Sequence, residues 1–185
     1  MAEFEGTSSM VVGALVSALV LALIALVAQR RVGWVTAWSA AGFAWSVVVI
    51  GLVTLLPTEA AIGVVPIESR LPECSMDYGG PAPDGFWILQ GGQRTLNTLL
   101  FIPAGAFLVL AVSRWRAGLV LAPLGLVCLG GYSLLIEKTQ FELARIDRAC
   151  DITDVVDNVS GSVMGFAVGL ALMLVLRPWR HRAQH

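Results

Sequence analysis

The sequence predicts an all-α polytopic membrane protein: a bundle of five transmembrane helices, with the N-terminus outside and the C-terminus cytoplasmic. Three observations carry that reading. The chain of 185 residues is 57% hydrophobic and 14% charged, with a mean hydropathy of +0.78, whereas soluble domains average roughly 45–50% apolar and 25% charged residues. It contains five apolar runs near the length needed to cross a hydrocarbon core. Seven arginines fall in three segments that hold no acidic residue.

Span 1 runs from Ser8 to Ala28, behind Glu3 and Glu5 where a secretory signal needs a basic region, and so reads as a retained membrane span. Its Ala14, Ala18 and Ala22 form a small-residue stripe. Arg30 and Arg31 separate it from span 2, Thr36 to Leu56. The following loop, residues 57–93, holds five of the eight prolines; it is too broken to be a span and too short for a separate domain. Within it, Phe86 to Leu89 is apolar enough to dip into the membrane interface.

Span 3, Leu96 to Val112, is short and contains Asn97 and Pro103, whose ring frees the carbonyl of Leu99 from its helical bond. Neighbouring helices can re-satisfy such a group. Arg114 and Arg116 precede span 4, Ala117 to Ile136. Span 5, Val155 to Leu176, carries Asp157 near one end and then Gly161, Gly165 and Gly169, a stripe that lets another helix approach closely. Packing within one chain is the expected use of both stripes, which do not specify an oligomeric state.

Cytoplasmic segments of membrane proteins are enriched in Lys and Arg. That rule places Arg30–Arg31, Arg114–Arg116 and Arg177–Arg182 inside, and all thirteen acids then fall on the outer side. Trp34, Trp38, Trp115 and Trp179 flank the basic segments, as aromatic rings do at the headgroup level. Cys74 and Cys150 share the outer side, an oxidising space, and are expected to form a disulfide worth about 4 kcal/mol in the chain-entropy model; Cys128 is expected to be buried in span 4.

With three cysteines, no CxxC and both histidines in the last five residues, a zinc site of ordinary spacing is excluded. There is no nucleophile elbow, HExxH or phosphate-cradling glycine loop, no internal repeat of the carrier type, and nothing that calls for a nucleic-acid partner. The chemistry-bearing residues gather instead at one depth. Asn97 opens span 3, Glu137 and Gln140 close span 4, and Asp154, Asp157 and Asn158 open span 5, with Arg145, Asp147, Arg148 and Asp151 in the charged connection between the last two spans. Spacings of three and four put Glu137 with Gln140, and Asp151 with Asp154 and Asn158, on single helical faces.

At these residues the sequence resembles the VanZ-like family of bacterial membrane proteins. The similarity lies in Asn97–Gly105, Ser133–Gln140 and Arg148–Gly161 leading to Gly165, and covers about residues 94–169. It implies a single VanZ-like membrane domain in the cell membrane, in a family associated with resistance to glycopeptide antibiotics, chiefly teicoplanin and related lipoglycopeptides. Cys150 and the long loop depart from that pattern.

Two functions fit. The first is a non-enzymatic envelope protein that contacts membrane lipid and binds a lipid-linked cell-wall precursor or a lipoglycopeptide in an outer cleft of Asn97, Glu137, Gln140, Arg148, Asp151, Asp154 and Asn158. Arg94, Arg145 and Arg148 would then meet phosphate or carboxylate. The second is a membrane enzyme acting on a phosphorylated lipid, with Glu137, Asp151 and Asp154 holding a divalent cation or serving as acid and base. The same acids also suit a purely structural part: Asp151 and Asp154 as cap and first-turn residues of span 5, and Glu137 paired with Arg145 or Arg148.

The charge distribution predicts the orientation directly. A cysteine introduced at position 115 should be protected from a membrane-impermeant thiol reagent in intact cells; labelling there would reverse the topology.

Overall fold

A computed structural model of the chain describes residues 5–56, 76, 78, 92–143 and 151–179. These form five helices: α1 Glu5–Val32, α2 Trp34–Leu55, α3 Gly92–Val112, α4 Gly118–Leu143 and α5 Ile152–Leu176. Each is long and apolar enough to cross a membrane. The helices run beyond the apolar runs chiefly at the acidic end of the bundle. There α3 starts at Gly92 and takes in Arg94, α4 continues through Glu137 and Gln140, and α5 is capped by Asp151, whose side chain accepts from the Thr153 N–H. A helix stops where its backbone is capped, not where its side chains turn polar.

α3 is the hub, packing on α5, α2 and α4. Half of its apolar window is buried inside the bundle, against 11% of that of α1. Lipid is as apolar as leucine, so burial inside such a bundle is not driven by hydrophobicity and follows from shape and polar contacts. Ile50 of α2, Phe101, Ala104 and Leu108 of α3, and Leu129 and Ile136 of α4 make the apolar core. Cys128, expected inside, lies instead on the exposed face of α4; its apolar surroundings in sequence do not distinguish a lipid-facing from an inward position.

α3 and α5 run parallel, with backbone against backbone. The glycine stripe of α5 meets every fourth residue of α3: Gly161 lies under the Thr98 carbonyl, Gly165 under that of Ile102, and Gly169 beside Ala106. Each pair is 63 residues apart, the same separation as Arg94 and Asp157 one turn earlier. Gly105 returns the contact from α3 against the Ser162 carbonyl. The stripe is therefore used within the chain. Pro103 interrupts neither α3 nor this seam.

α1 packs on α2 across a one-residue turn. Gly33 has φ 82 and ψ 153, a combination that only glycine adopts readily. Trp45 Nε1 donates to the Ala14 carbonyl at 2.9 Å and Trp38 Nε1 to Gln29 Oε1 at 3.1 Å. The alanine stripe is not a backbone-contact seam: Ala18 and Ala22 line an apolar cavity of about 580 Å³ facing Trp34, Trp38, Trp45 and Phe107. Antiparallel packing brings the turns at Gly33 and residues 113–117 to one end, where a Cβ on Gly33 would lie 3.3 Å from Arg114 Nη1. All the described basic-segment arginines share that end. Residues 57–75, 79–91 and 144–150 lie outside the described residues, and with them Cys74, Cys150, their expected disulfide, and the segment from Phe86 to Leu89.

The seam predicts a sharp contrast between two glycines. Gly165→Val drives a side chain into the Ile102 backbone and should lower unfolding stability in detergent by about 1–3 kcal/mol or more. Gly131→Ala, where a Cβ meets nothing within 4 Å, should be neutral or slightly stabilising.

Candidate functional site

The centre of the polar end is an ion pair between α3 and α5. Arg94 Nε donates to Asp157 Oδ2 and Nη2 to Asp157 Oδ1, both at 2.8 Å, a bidentate fork of the charge-assisted kind. The side chains are 3% and 0% exposed. Arg94 occupies the first turn of α3, and Thr98 Oγ1 donates back to the Arg94 carbonyl at 3.0 Å. From the loop between α2 and α3, Tyr78 reaches the pair. Its hydroxyl accepts from Arg94 Nη2 at 2.9 Å, and its ring centroid lies 5.0 Å from the guanidinium carbon, within cation–π range.

Other polar contacts surround the pair. Asn97 Nδ2 donates to Asp154 Oδ1 at 2.8 Å, one turn toward the core on α3 and one turn toward the helix start on α5. Asn158 Nδ2 donates to Ser133 Oγ of α4 at 2.9 Å, and Ser162 Oγ to the Asn158 carbonyl at 3.0 Å. Gln140 Nε2 ties α4 to α2 through the Thr54 carbonyl at 2.8 Å. Glu137 is buried, and its Oε2 accepts a long 3.4 Å contact from the Asp151 N–H. Among the described residues, no buried side-chain nitrogen or oxygen lacks a partner.

Of the residues singled out from sequence, the structure joins Asn97 to Asp154 and Glu137 to Asp151. It turns Gln140 toward α2 and Asn158 toward α4. Arg148 lies outside the described residues. The expected cation triad of Glu137, Asp151 and Asp154 is not assembled. Among the described residues no three Asp, Glu, His or Cys side chains are grouped to hold a metal. The reason is local: Asp151 bends back to cap its own helix, and Asp154 is engaged by Asn97.

Sequence reasoning had named Arg94 as an anion donor and Asp157 as an intramembrane acid without pairing them, and it missed Ser133, Thr54 and Tyr78. The usable signal was Asp157 itself. It is the deepest acid in span 5, it stands four residues before Gly161, and a carboxylate in that position needs a counter-charge from whichever helix the glycines touch.

Chemically the site is a neutral ion pair inside a ring of amides, hydroxyls and carboxylates, with one guanidinium edge in contact with an oxygen from outside the helical bundle. A family model described as VanZ/LLP1 matches residues 15–175. No curated protein and no solved structure gives a match.

The geometry predicts opposite effects for single and paired substitutions. Asp157→Ala takes the bidentate carboxylate from a buried guanidinium and should cost about 3–5 kcal/mol, whereas Arg94→Met with Asp157→Leu should recover most of that loss. Arg94→Lys keeps the charge but not the planar fork and should fall between them. Chemical unfolding in detergent, run as a double-mutant cycle, measures all three.

Proposed function

The chain belongs to the VanZ/LLP1 family, and we propose that it acts as a multi-pass cell-envelope protein that receives the headgroup of an amphiphile at the Arg94–Asp157 end of the bundle. That end faces outward in this reading, because the five described arginines of the basic segments stand at the opposite end. Acyl chains would lie along the lipid-exposed helix faces. The ligand class is a lipid-linked cell-wall precursor or a lipidated glycopeptide, so a change in susceptibility to teicoplanin-type antibiotics is the phenotype to look for.

The observation that carries this reading is the setting of Arg94. A buried ion pair seldom stabilises a protein better than apolar side chains of similar volume, and ionisable groups at membrane depth are expensive. Holding one here therefore favours a task beyond packing. Asp157 fixes the guanidinium plane, and the Tyr78 hydroxyl, which comes from between α2 and α3, bonds the same Nη2. A phosphate or carboxylate oxygen arriving from the outer surface suits the same edge. Asn97, Glu137, Gln140, Asp151, Asp154 and Asn158 hold the three helix ends around it.

The test uses the apolar pair Arg94→Met, Asp157→Leu in a susceptible bacterium expressing the chain. Wild-type protein should shift lipoglycopeptide susceptibility and retain an amphiphile on purification, detectable by mass spectrometry. The double variant, at equal membrane abundance and melting temperature, should do neither. A double variant that is stable and fully active would show the pair to be scaffold.

A further inference from the structure

The second feature of the molecule lies at the other end. α4 and α5 meet closely near the polar site, where Asn158 bonds Ser133 and a Cβ on Gly130 would lie 3.7 Å from Val159. Toward the basic end a cleft of about 330 Å³ separates them, walled chiefly by Leu119, Ala122 and Pro123 of α4 and Phe166, Leu170 and Met173 of α5. Its mouth is of different chemistry: Trp115, Arg116 and Trp179 line it there.

These mouth residues are unspent. Trp38 and Trp45 give their indole N–H groups to Gln29 and Ala14, but among the described residues neither Trp115 nor Trp179 has an acceptor, and Arg116 has no carboxylate partner. No Asp or Glu occurs anywhere in the described basic end, where Arg30, Arg31, Arg114, Arg116 and Arg177 stand together. The site thus presents one guanidinium and two indole N–H groups above an apolar slot that opens to lipid.

We propose that this cleft is a binding site for an anionic phospholipid, with the phosphate held by Arg116 and the two indoles and an acyl chain lying between α4 and α5. Charge complementarity selects the occupant. A zwitterionic lipid brings a positive group of its own to a mouth that already has net positive charge, and an apolar protein helix would leave Arg116 buried without a counter-charge. The site is at the opposite end from the Arg94–Asp157 pair and does not depend on the function proposed for that pair.

Thermal unfolding of the full chain in nanodiscs tests it, comparing phosphatidylcholine alone with phosphatidylcholine containing phosphatidylglycerol. The anionic lipid should raise the Tm of the wild-type protein by about 2–4 °C, as ligand linkage requires. Arg116→Gln, which removes the phosphate donor, and Leu170→Trp, which fills the slot, should both lose most of that shift. Arg30→Gln makes the same charge change at the same end outside the cleft and should keep it. Because the readout is the difference between two lipids for each variant, a lower baseline Tm does not obscure it. Equal losses in Arg116→Gln and Arg30→Gln would reduce the effect to general surface attraction, and a wild-type protein indifferent to phosphatidylglycerol would end the proposal.

Discussion

The register between α3 and α5 is the constraint on which the other features depend. Contacts recur every four residues along the seam, from Arg94–Asp157 through Thr98–Gly161 and Ile102–Gly165 to Ala106–Gly169. Three of these four rungs require a residue without a side chain, because a β-carbon there would overlap or crowd the backbone of α3. The first rung requires the reverse, two long charged groups that meet end to end. A slip of one turn would therefore set a β-carbon against a carbonyl and part the ion pair at once. The seam is specified twice, by steric exclusion along its length and by electrostatics at its end.

These two devices act differently. In a bilayer no hydrophobic force draws helices together, so the glycine rungs gain from dispersion and close backbone approach. The ion pair contributes less to net stability than its short distances suggest, since desolvation offsets much of the attraction; its main effect is to penalise every arrangement that separates its members. The hydrogen bonds at Asn97–Asp154, Asn158–Ser133 and Gln140–Thr54 extend that penalty to α4 and α2. The polar end is consequently defined in shape, which a headgroup site needs, while the basic end is left to spread open.

Much of this was legible in the sequence. Five apolar runs and their alternation with arginine-rich segments are direct readings of what a bilayer tolerates, and the glycine stripe announced a close approach. Helix ends were less legible because hydropathy stops at the first charge whereas the backbone ladder does not. That is why Arg94, two residues before the start of the apolar run of span 3, was not recognised as the partner of Asp157. Inward and outward faces were also hidden: lipid and protein interior are equally apolar, so nothing local to Cys128 marks its face as the exposed one. The alanine stripe misled for a related reason, since small residues permit close approach without requiring it. The engagement of the carboxylates was hidden too: Asp151 caps its own helix and Asp154 meets Asn97 of α3, partners that clustering along the sequence does not single out.

The distance along the chain between Arg94 and Asp157 also bears on how the protein is made. Sixty-three residues separate them, and at roughly 5–20 residues per second the ribosome takes about 3–13 s to deliver the second after the first. Throughout that interval the third span carries its guanidinium without the α5 carboxylate that fixes its plane. Its place in the first turn of the helix lets it wait at the aqueous boundary instead of entering hydrocarbon alone. α1 and α2, joined by a single glycine, can settle as a hairpin well before then. The span with the acid and the glycines is made last, so the α3–α5 seam on which the rest of the bundle depends is also the last contact that can form.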